Sequence, residues 1–353
     1  MSRILSYAAA VREAIDQSMA RDPRVYVMGL GVTDPKGTFG TTLGLVERYG
    51  PRRVLDMPNA ENAMTGIAIG SALVGMRPIM THQRADFVLL ALDQLINNAA
   101  KWHFMFGGRM RAPLVVRLVI GRGWGQGPQH SQSLQALFAH VPGLKVVMPT
   151  TPHDAKGMLV AAIEDDNTVI VLEDRWLHGV EGHVPEDLYR VPLGTAATLR
   201  PGRDATIVAT GYLTLEAQAA AAELATEGIE AGVIDVRTLK PFDAEHVLAA
   251  VRETGRLVVA DAGWRSLGFA AEVVARVAED AHAHLKAAPR RVTCPDAPTP
   301  TTPALANAYY PRADEIAAAV RTQLGRRTAR GRPATARPGV PLDLPDPHFR
   351  GPF

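Results

Sequence analysis

Three residues of this chain have types and surroundings that could do chemistry: Glu61, Phe87 and His130. Glu61 closes the stretch "RRVLDMPNAE" (52–61) and opens a glycine-studded apolar run, "NAMTGIAIGSAL". A carboxylate between the end of a strand and the start of a helix lies where open α/β sheets place their ligands. It also complements the helix dipole. A charge beside so much small and apolar surface is costly unless something pairs with it. Taken singly, each residue has a plainer reading: Glu61 as a helix-start charge, Phe87 as core, and His130 as a solvated loop histidine. The glycine loop before His130, "GRGWGQG" (121–127), lacks the Gly-Lys-Ser/Thr that ends a P-loop.

The elements that must position these residues follow from periodicity. Residues 5–19 carry Ala, Val and Ile at helical spacing, and "RVYVMGLG" reads as a strand entering a turn. Residues 62–75 form the helix opened by Glu61, with Gly66 and Gly70 four apart on a small-residue face. "RPIMTHQ" is a short strand, and "FVLLALDQLINNAAKWHF" (87–104) predicts one long helix. "APLVVRLVI" (112–120), "LKVVMP" (144–149) and "TVIVLE" (168–173) are near-continuous β-branched runs, the signature of strands buried on both faces. A second cycle starts at "DATIVATG" (204–211) and alternates strand and helix to about residue 324. The fold class is therefore α/β, with two parallel-sheet domains at 1–190 and 204–324, a linker at 191–203 and a Pro/Arg-rich tail at 325–353 read as a solvated arm.

Composition narrows the function classes. The 353 residues are 47% hydrophobic and 21% charged, so a large core is feasible. A net charge of +2 argues for neither nucleic acid nor a membrane surface. No stretch approaches the ~18 uncharged apolar residues of a membrane helix, and the start lacks the pattern of a signal peptide. Cys294 is the only cysteine, which fits a reducing, cytoplasmic setting. His282 and His284 are the only histidines near ligand spacing, and no Gly-x-Ser-x-Gly occurs.

Read together, "LVERYGPRRVLDMPNAE", "GIAIGSALVGMRPI", "ADF…DQLINNAAK", "QHSQSLQALFAHVPGLKVVMPTTPHDAKGMLVAAIEDDNTVIVLED" and "DVRTLKPFD" have a known order. Over residues 5–320 they resemble the β subunit of thiamine-diphosphate-dependent 2-oxo acid dehydrogenases. This family comprises the pyruvate, branched-chain and acetoin-cleaving enzymes of the transketolase superfamily. The resemblance implies a pyrimidine-binding domain followed by a transketolase C-terminal-like domain. It implies that Glu61, closing the Asp-x-Pro-x-x-Glu motif, hydrogen-bonds N1′ of the aminopyrimidine and thereby promotes loss of the thiazolium C2 proton. Phe87 falls at the aromatic that packs on that ring. His130 falls at the histidine that orients substrate or an incoming lipoyl group. Asn59 and Gln83 fall on the cofactor-facing wall. Leu114, Ala162, Ile163, Asp165 and Asn167 match positions that hold a monovalent cation such as K+, largely by backbone oxygens.

The chain lacks Gly-Asp-Gly with a following Asn, the family's seat for Mg2+ and the diphosphate. The resemblance therefore implies an α subunit that holds that half of the cofactor, in an α2β2 tetramer, with the Gly66/Gly70 face available for a close helix crossing. The implied reaction is decarboxylation of a pyruvate-like 2-oxo acid with acyl transfer to the lipoyl group of an acyltransferase. Departures from the pattern stand at Leu30 and Gly31, where an acidic residue is usual, at Asn59, and at His82, Gln83 and Arg84, where apolar or aromatic residues are common. They make the wall more polar and cationic. Two alternatives stay open: a free-standing acyloin-forming carboligase, and a non-catalytic scaffold subunit.

Overall fold

The computed structural model describes residues 3–121 and 125–326. Residues 122–124 of the glycine loop and nearly all of the Pro/Arg-rich tail lie outside the described residues. The chain forms two compact units. The first holds residues 3–121 and 137–193; the second holds 125–136 and 194–326. The segment bearing His130 thus groups with the second unit, although its sequence lies within the first domain's range.

In the first unit six strands run parallel: β1 (Val25–Gly29), β2 (Val54–Asp56), β3 (Arg77–His82), β4 (Val115–Ile120), β5 (Lys145–Val147) and β6 (Val169–Asp174). Their spatial order is β5-β6-β4-β3-β1-β2. Every residue of β1, β4 and β6 is buried, as continuous apolar runs require when helices cover both faces. Because β2 lies on one side of β1 and β3 on the other, the sheet has its topological switch point at β1/β3. That is where open sheets form a ligand crevice. Helix α1 (Tyr7–Arg21) starts at Ser6, whose hydroxyl accepts the Ala9 N–H at 3.2 Å. Its buried stripe of Tyr7, Ala10, Val11, Ala14, Ile15 and Met19 packs on α3 (Pro152–Glu164). Between them in sequence, α2 (Glu61–Leu73) leads into β3.

The long helix expected over 87–104 is broken. An α-turn at Ala85–Val88 passes into a 3-10 turn, a π-helical stretch at Gln94–Ala99 and a last turn at Trp102–Met105. The wide π turn presses the Ala100 carbonyl onto Gly143, where a Cβ would lie 1.8 Å from that oxygen. It also turns the Gln94 side chain onto Gly66. Packing against these glycines has overridden local helical propensity.

The second unit has strands β7 (Ala197–Arg200), β8 (Ala205–Ala209), β9 (Ala231–Asp235), β10 (Leu257–Trp264) and β11 (Arg290–Cys294), in the order β11-β10-β8-β9-β7. All pair in parallel except β7, which runs antiparallel to β9. Residues read as linker from the sequence thus include an edge strand, whose Leu199 packs on the core. That core is built from β8, β9, β10 and the helices α4 (Leu213–Ala225) and α7 (Ala313–Gln323); two further helices are α5 (Ala244–Thr254) and α6 (Phe269–Asp280). Among the described residues no helix is long and apolar enough to cross a membrane.

A charge pair sits inside the first sheet. Arg117 on β4 donates to both carboxylate oxygens of Glu173 on β6, at 2.6 and 2.9 Å, and both side chains are essentially inaccessible. Burial alone would raise the Glu173 carboxyl. The adjoining guanidinium and the His178 imidazole overcome this and hold it down to about 2. Arg117→Met keeps volume but strands a buried carboxylate, so the chain should lose about 3–5 kcal/mol. Denaturant unfolding of the variant against the parent measures it, and a loss below ~1 kcal/mol would mean the pair is not a structural bond.

Candidate active site

The loops that follow β1, β2 and β3 meet at the β1/β3 switch point, where open sheets place their ligands. Asp56, last residue of β2, accepts the N–H of Gly31 at 2.9 Å and of Met57 at 2.8 Å, with the Thr33 hydroxyl at 3.3 Å. From the other side Gln83, just past β3, donates its side-chain amide to the Leu30 carbonyl at 3.0 Å. Gly31, held between them, has φ +70°, and a Cβ there would lie 2.6 Å from Gln83 Nε2. The left-handed backbone at Gly31 is one that a residue with a side chain adopts only under strain. Gln83 therefore spends its amide protons' side of the group on the backbone turn.

Glu61 is the first residue of α2 and is only 9% exposed. Ala60 before it offers no side-chain cap, so the free N–H groups of the first turn and the positive helix end face the same region as the carboxylate. No hydrogen bond or ion pair joins the Glu61 side chain to any described residue. Most buried carboxylates have partners, and among the described residues this one has none. Phe87 lies on the turn after β3, in the segment packed on α2, and is 38% exposed. Asn59 is exposed on the loop just before Glu61. Together these four residues come from one edge of one sheet.

His130 is exposed, on the segment that groups with the second unit. Its backbone N–H bonds the Gly127 carbonyl at 3.1 Å.

The proposed cation ligands do gather, at the opposite, N-terminal side of β3 and β4. Val169 N–H bonds the Leu114 carbonyl at 2.9 Å, and Asp165 N–H bonds that of Ala162 at 3.3 Å. Arg77 donates to the carbonyls of Ile163 and Asp165, both at 3.0 Å. The Asp165 carboxylate accepts the Asn167 N–H at 2.9 Å and pairs with Lys145. Arg77 and Lys145 thus already bring two positive charges to these oxygens, charges that any monovalent ion bound there would have to share space with.

Sequence reasoning passed over a layer beneath the crevice. Phe39, in the loop after β1, has φ +51° and carries guanidiniums on its ring: Arg175 at 4.6 Å and Arg84 at 5.4 Å. Arg84 also donates to the Gly121 carbonyl at 2.9 Å, and burial pulls Arg175 down to about 10. His178 stacks on Tyr7, with centroids 5.8 Å apart, and lies 3.3 Å from Glu173. The signal that would have found this layer is a charge inside an otherwise apolar strand: Arg117 in "VVRLVI" and Glu173 in "VIVLED".

Known proteins agree with this geometry. Residues 4–179 match the transketolase pyrimidine-binding domain, and residues 194–316 match the transketolase C-terminal domain. The chain is 45% identical, over 91% of its own length and 98% of the relative's, to the acetoin:2,6-dichlorophenolindophenol oxidoreductase subunit beta of Cupriavidus necator. The chain belongs to the β-subunit family of transketolase-like 2-oxo acid dehydrogenases. Other members of this family include the 2-oxoisovalerate dehydrogenase subunit beta of Bacillus subtilis, 38% identical over 90% of this chain and 98% of the relative. The pyruvate dehydrogenase E1 component subunit beta of Rhizobium meliloti is 40% identical over 88% of this chain and 69% of the relative. A solved split-gene transketolase, described as an inactive beta4 tetramer, superposes with a TM-score of 0.76 at 25% identity, covering 91% and 99% of the two chains. The family is thiamine-diphosphate dependent.

One departure has a measurable consequence. His82, last residue of β3, is 3% exposed and its Nε2 has no partner. Burial pushes its imidazole down to about 4, so it is neutral in the fold and protonates more readily once unfolded. A depressed folded value means the stabilisation is complete above about pH 6.5 and is lost as pH falls from there toward 4. Moving from pH 8 to pH 5 should cost the parent about 2 kcal/mol more than it costs His82→Leu. Paired denaturation curves at the two pH values give this difference, and equal losses would show that His82 is accessible to protons in the fold.

Proposed function

We propose that this chain is the β subunit of a thiamine-diphosphate-dependent enzyme that decarboxylates a pyruvate-like 2-oxo acid and passes on the two-electron-rich acyl fragment. The observation that carries the reading is Glu61: nine-tenths buried, at a helix N-terminus beside the sheet's switch point, and without a partner among the described residues. The bound cofactor supplies an electron sink for cleavage next to a carbonyl. Glu61 would hold a proton shared with N1′ of the aminopyrimidine, Phe87 would support the ring's face, and Asn59 and Gln83 would line its edge. His130 would orient the substrate or the acceptor.

The diphosphate and Mg2+ would be held by an α subunit, giving an α2β2 assembly. Exposed apolar side chains support an extensive subunit interface: Ile67 on α2, Val74 just past it, and Leu90, Phe104 and Met105 on the broken helical segment that follows. Of the two α2 glycines, Gly66 is covered by Gln94 within the chain, whereas nothing lies within 4 Å of a Cβ placed on Gly70. Gly70 is the point open to a neighbouring helix. The carbonyls of Leu114, Ala162, Ile163 and Asp165, with Asn167, would take K+. At ten times its dissociation constant K+ would then add about 1.4 kcal/mol of stability over choline, and an unchanged unfolding midpoint would remove the ion from the account.

A second reading, acyloin-forming carboligation, is favoured by the polar layer at His82, Arg84 and Arg175 and by the relatives named for acetoin. One reconstitution separates the readings. The chain is co-expressed with its α subunit and given pyruvate, thiamine diphosphate and Mg2+, with either a lipoyl domain or an aldehyde as acceptor. Reductive acylation of the lipoyl domain supports the dehydrogenase; product only with aldehyde supports the carboligase. In either case Glu61→Gln should lower turnover by at least ~100-fold, while unchanged turnover would leave only a scaffold. Calorimetry of the chain alone should show negligible cofactor binding; tight binding without the α subunit would overturn the shared site.

A further inference from the structure

The segment from Gly125 to Leu134 carries His130 without any strand or helix of its own. Irregular backbone holds a side chain only as firmly as its anchors do. Two anchors are visible within the second unit. At one end Gly127 lies so close to Thr301 that a Cβ would fall 2.3 Å from the threonine hydroxyl oxygen. At the other end Gln135, fully buried, donates its Nε2 to Asp261 Oδ1 at 2.8 Å.

Asp261 is built for that bond. It lies in the C-terminal half of β10, is completely buried, and also accepts the Thr210 hydroxyl at 2.8 Å on the same oxygen. Burial favours its neutral form; the bonds from Gln135 and Thr210 and the amides of Gly263 and Ala270 oppose this. Room for the glutamine comes from Gly263, where a Cβ would lie 2.9 Å from Asp261 Oδ2 and 3.1 Å from Gln135 Nε2. A neutral amide meeting a buried carboxyl makes a charge-assisted bond without adding a second charge to desolvate.

We propose that Gln135 and Asp261 are positioning residues, a buried latch that pins the His130 segment to the second unit's sheet so that His130 acts from a fixed base. This rests on the reading that His130 takes part in the reaction. A slack segment would leave the cofactor bound but the imidazole out of place, so the latch should act on turnover and leave cofactor affinity alone.

The test uses the co-expressed complex with its α subunit and three variants: Gln135→Met, which keeps volume but removes the donor, Asp261→Asn, which keeps an acceptor oxygen, and His130→Ala. Hydrogen exchange of residues 125–134 should run about tenfold faster in Gln135→Met and near the parent rate in Asp261→Asn. Turnover of pyruvate or acetoin with dichlorophenolindophenol should fall about tenfold or more in Gln135→Met, with the dissociation constant for thiamine diphosphate unchanged. Adding Gln135→Met to His130→Ala should cost nothing further. Unchanged exchange, or losses that multiply in the double variant, would overturn the latch. If His130→Ala alone keeps full turnover, the role given to His130 falls, and the exchange measurement still decides whether the latch exists. Should Gln135→Met fail to assemble, Gln135→Ala, which removes the donor without adding bulk, carries the same measurements.

Discussion

A carboxylate that is nine-tenths buried and has no partner governs the way the first unit is built. Leaving Glu61 unmatched costs free energy, and the fold offsets it with the positive end of α2 and with a crevice that keeps the carboxylate addressable. An α/β sheet provides such a place at its switch point, where loops after β1 and β3 depart to opposite sides. The surroundings of Glu61 are accordingly rigid. Asp56 and Gln83 grip the turn after β1 from two strands, and Gly31 adopts a conformation that other residues resist. The chain thus holds the residue still while leaving its hydrogen-bonding capacity unspent, which is the condition of preorganisation.

Beneath the crevice lies a second layer of charge. Arg117 and Glu173 satisfy each other bidentately inside the sheet, so two charges in a dry environment become a geometric constraint on β4 and β6. His178 and Tyr7 tie this pair to α1, and Arg84 and Arg175 flank the strained Phe39. Polar groups buried this deeply specify one arrangement of the surrounding loops, because any other leaves a charge or a donor unmatched.

Much of the architecture was legible before any coordinates. Continuous β-branched runs announced doubly covered strands, and "DMPNAE" announced a carboxylate at a strand-to-helix turn. The failures are equally physical. The stretch 87–104 has good helical periodicity, yet close packing on Gly66 and Gly143 breaks it into α, 3-10 and π turns, because a contact with a distant glycine is invisible in a local window. The edge strand Ala197–Arg200 hid in a Gly/Pro-rich segment that looked like a linker, since pairing with Ala231–Asp235 comes from elsewhere in the chain. Tyr7, Phe39 and His178 carry no motif at all; they meet only in space.

What the amino-acid sequence alone determined is the buried strands of the two sheets, most of the helices between them and the chemical character of Glu61, since hydrophobic period, turn residues and motif spacing are local properties. Tertiary structure decided everything that depends on two distant segments meeting. Only there does it emerge that Glu61 is buried without a partner, that Gln83 serves the turn after β1, and that Gln135 reaches Asp261, 126 positions away along the chain. The reason is that burial and hydrogen-bond satisfaction are sums over neighbours in space, and a linear pattern does not name those neighbours.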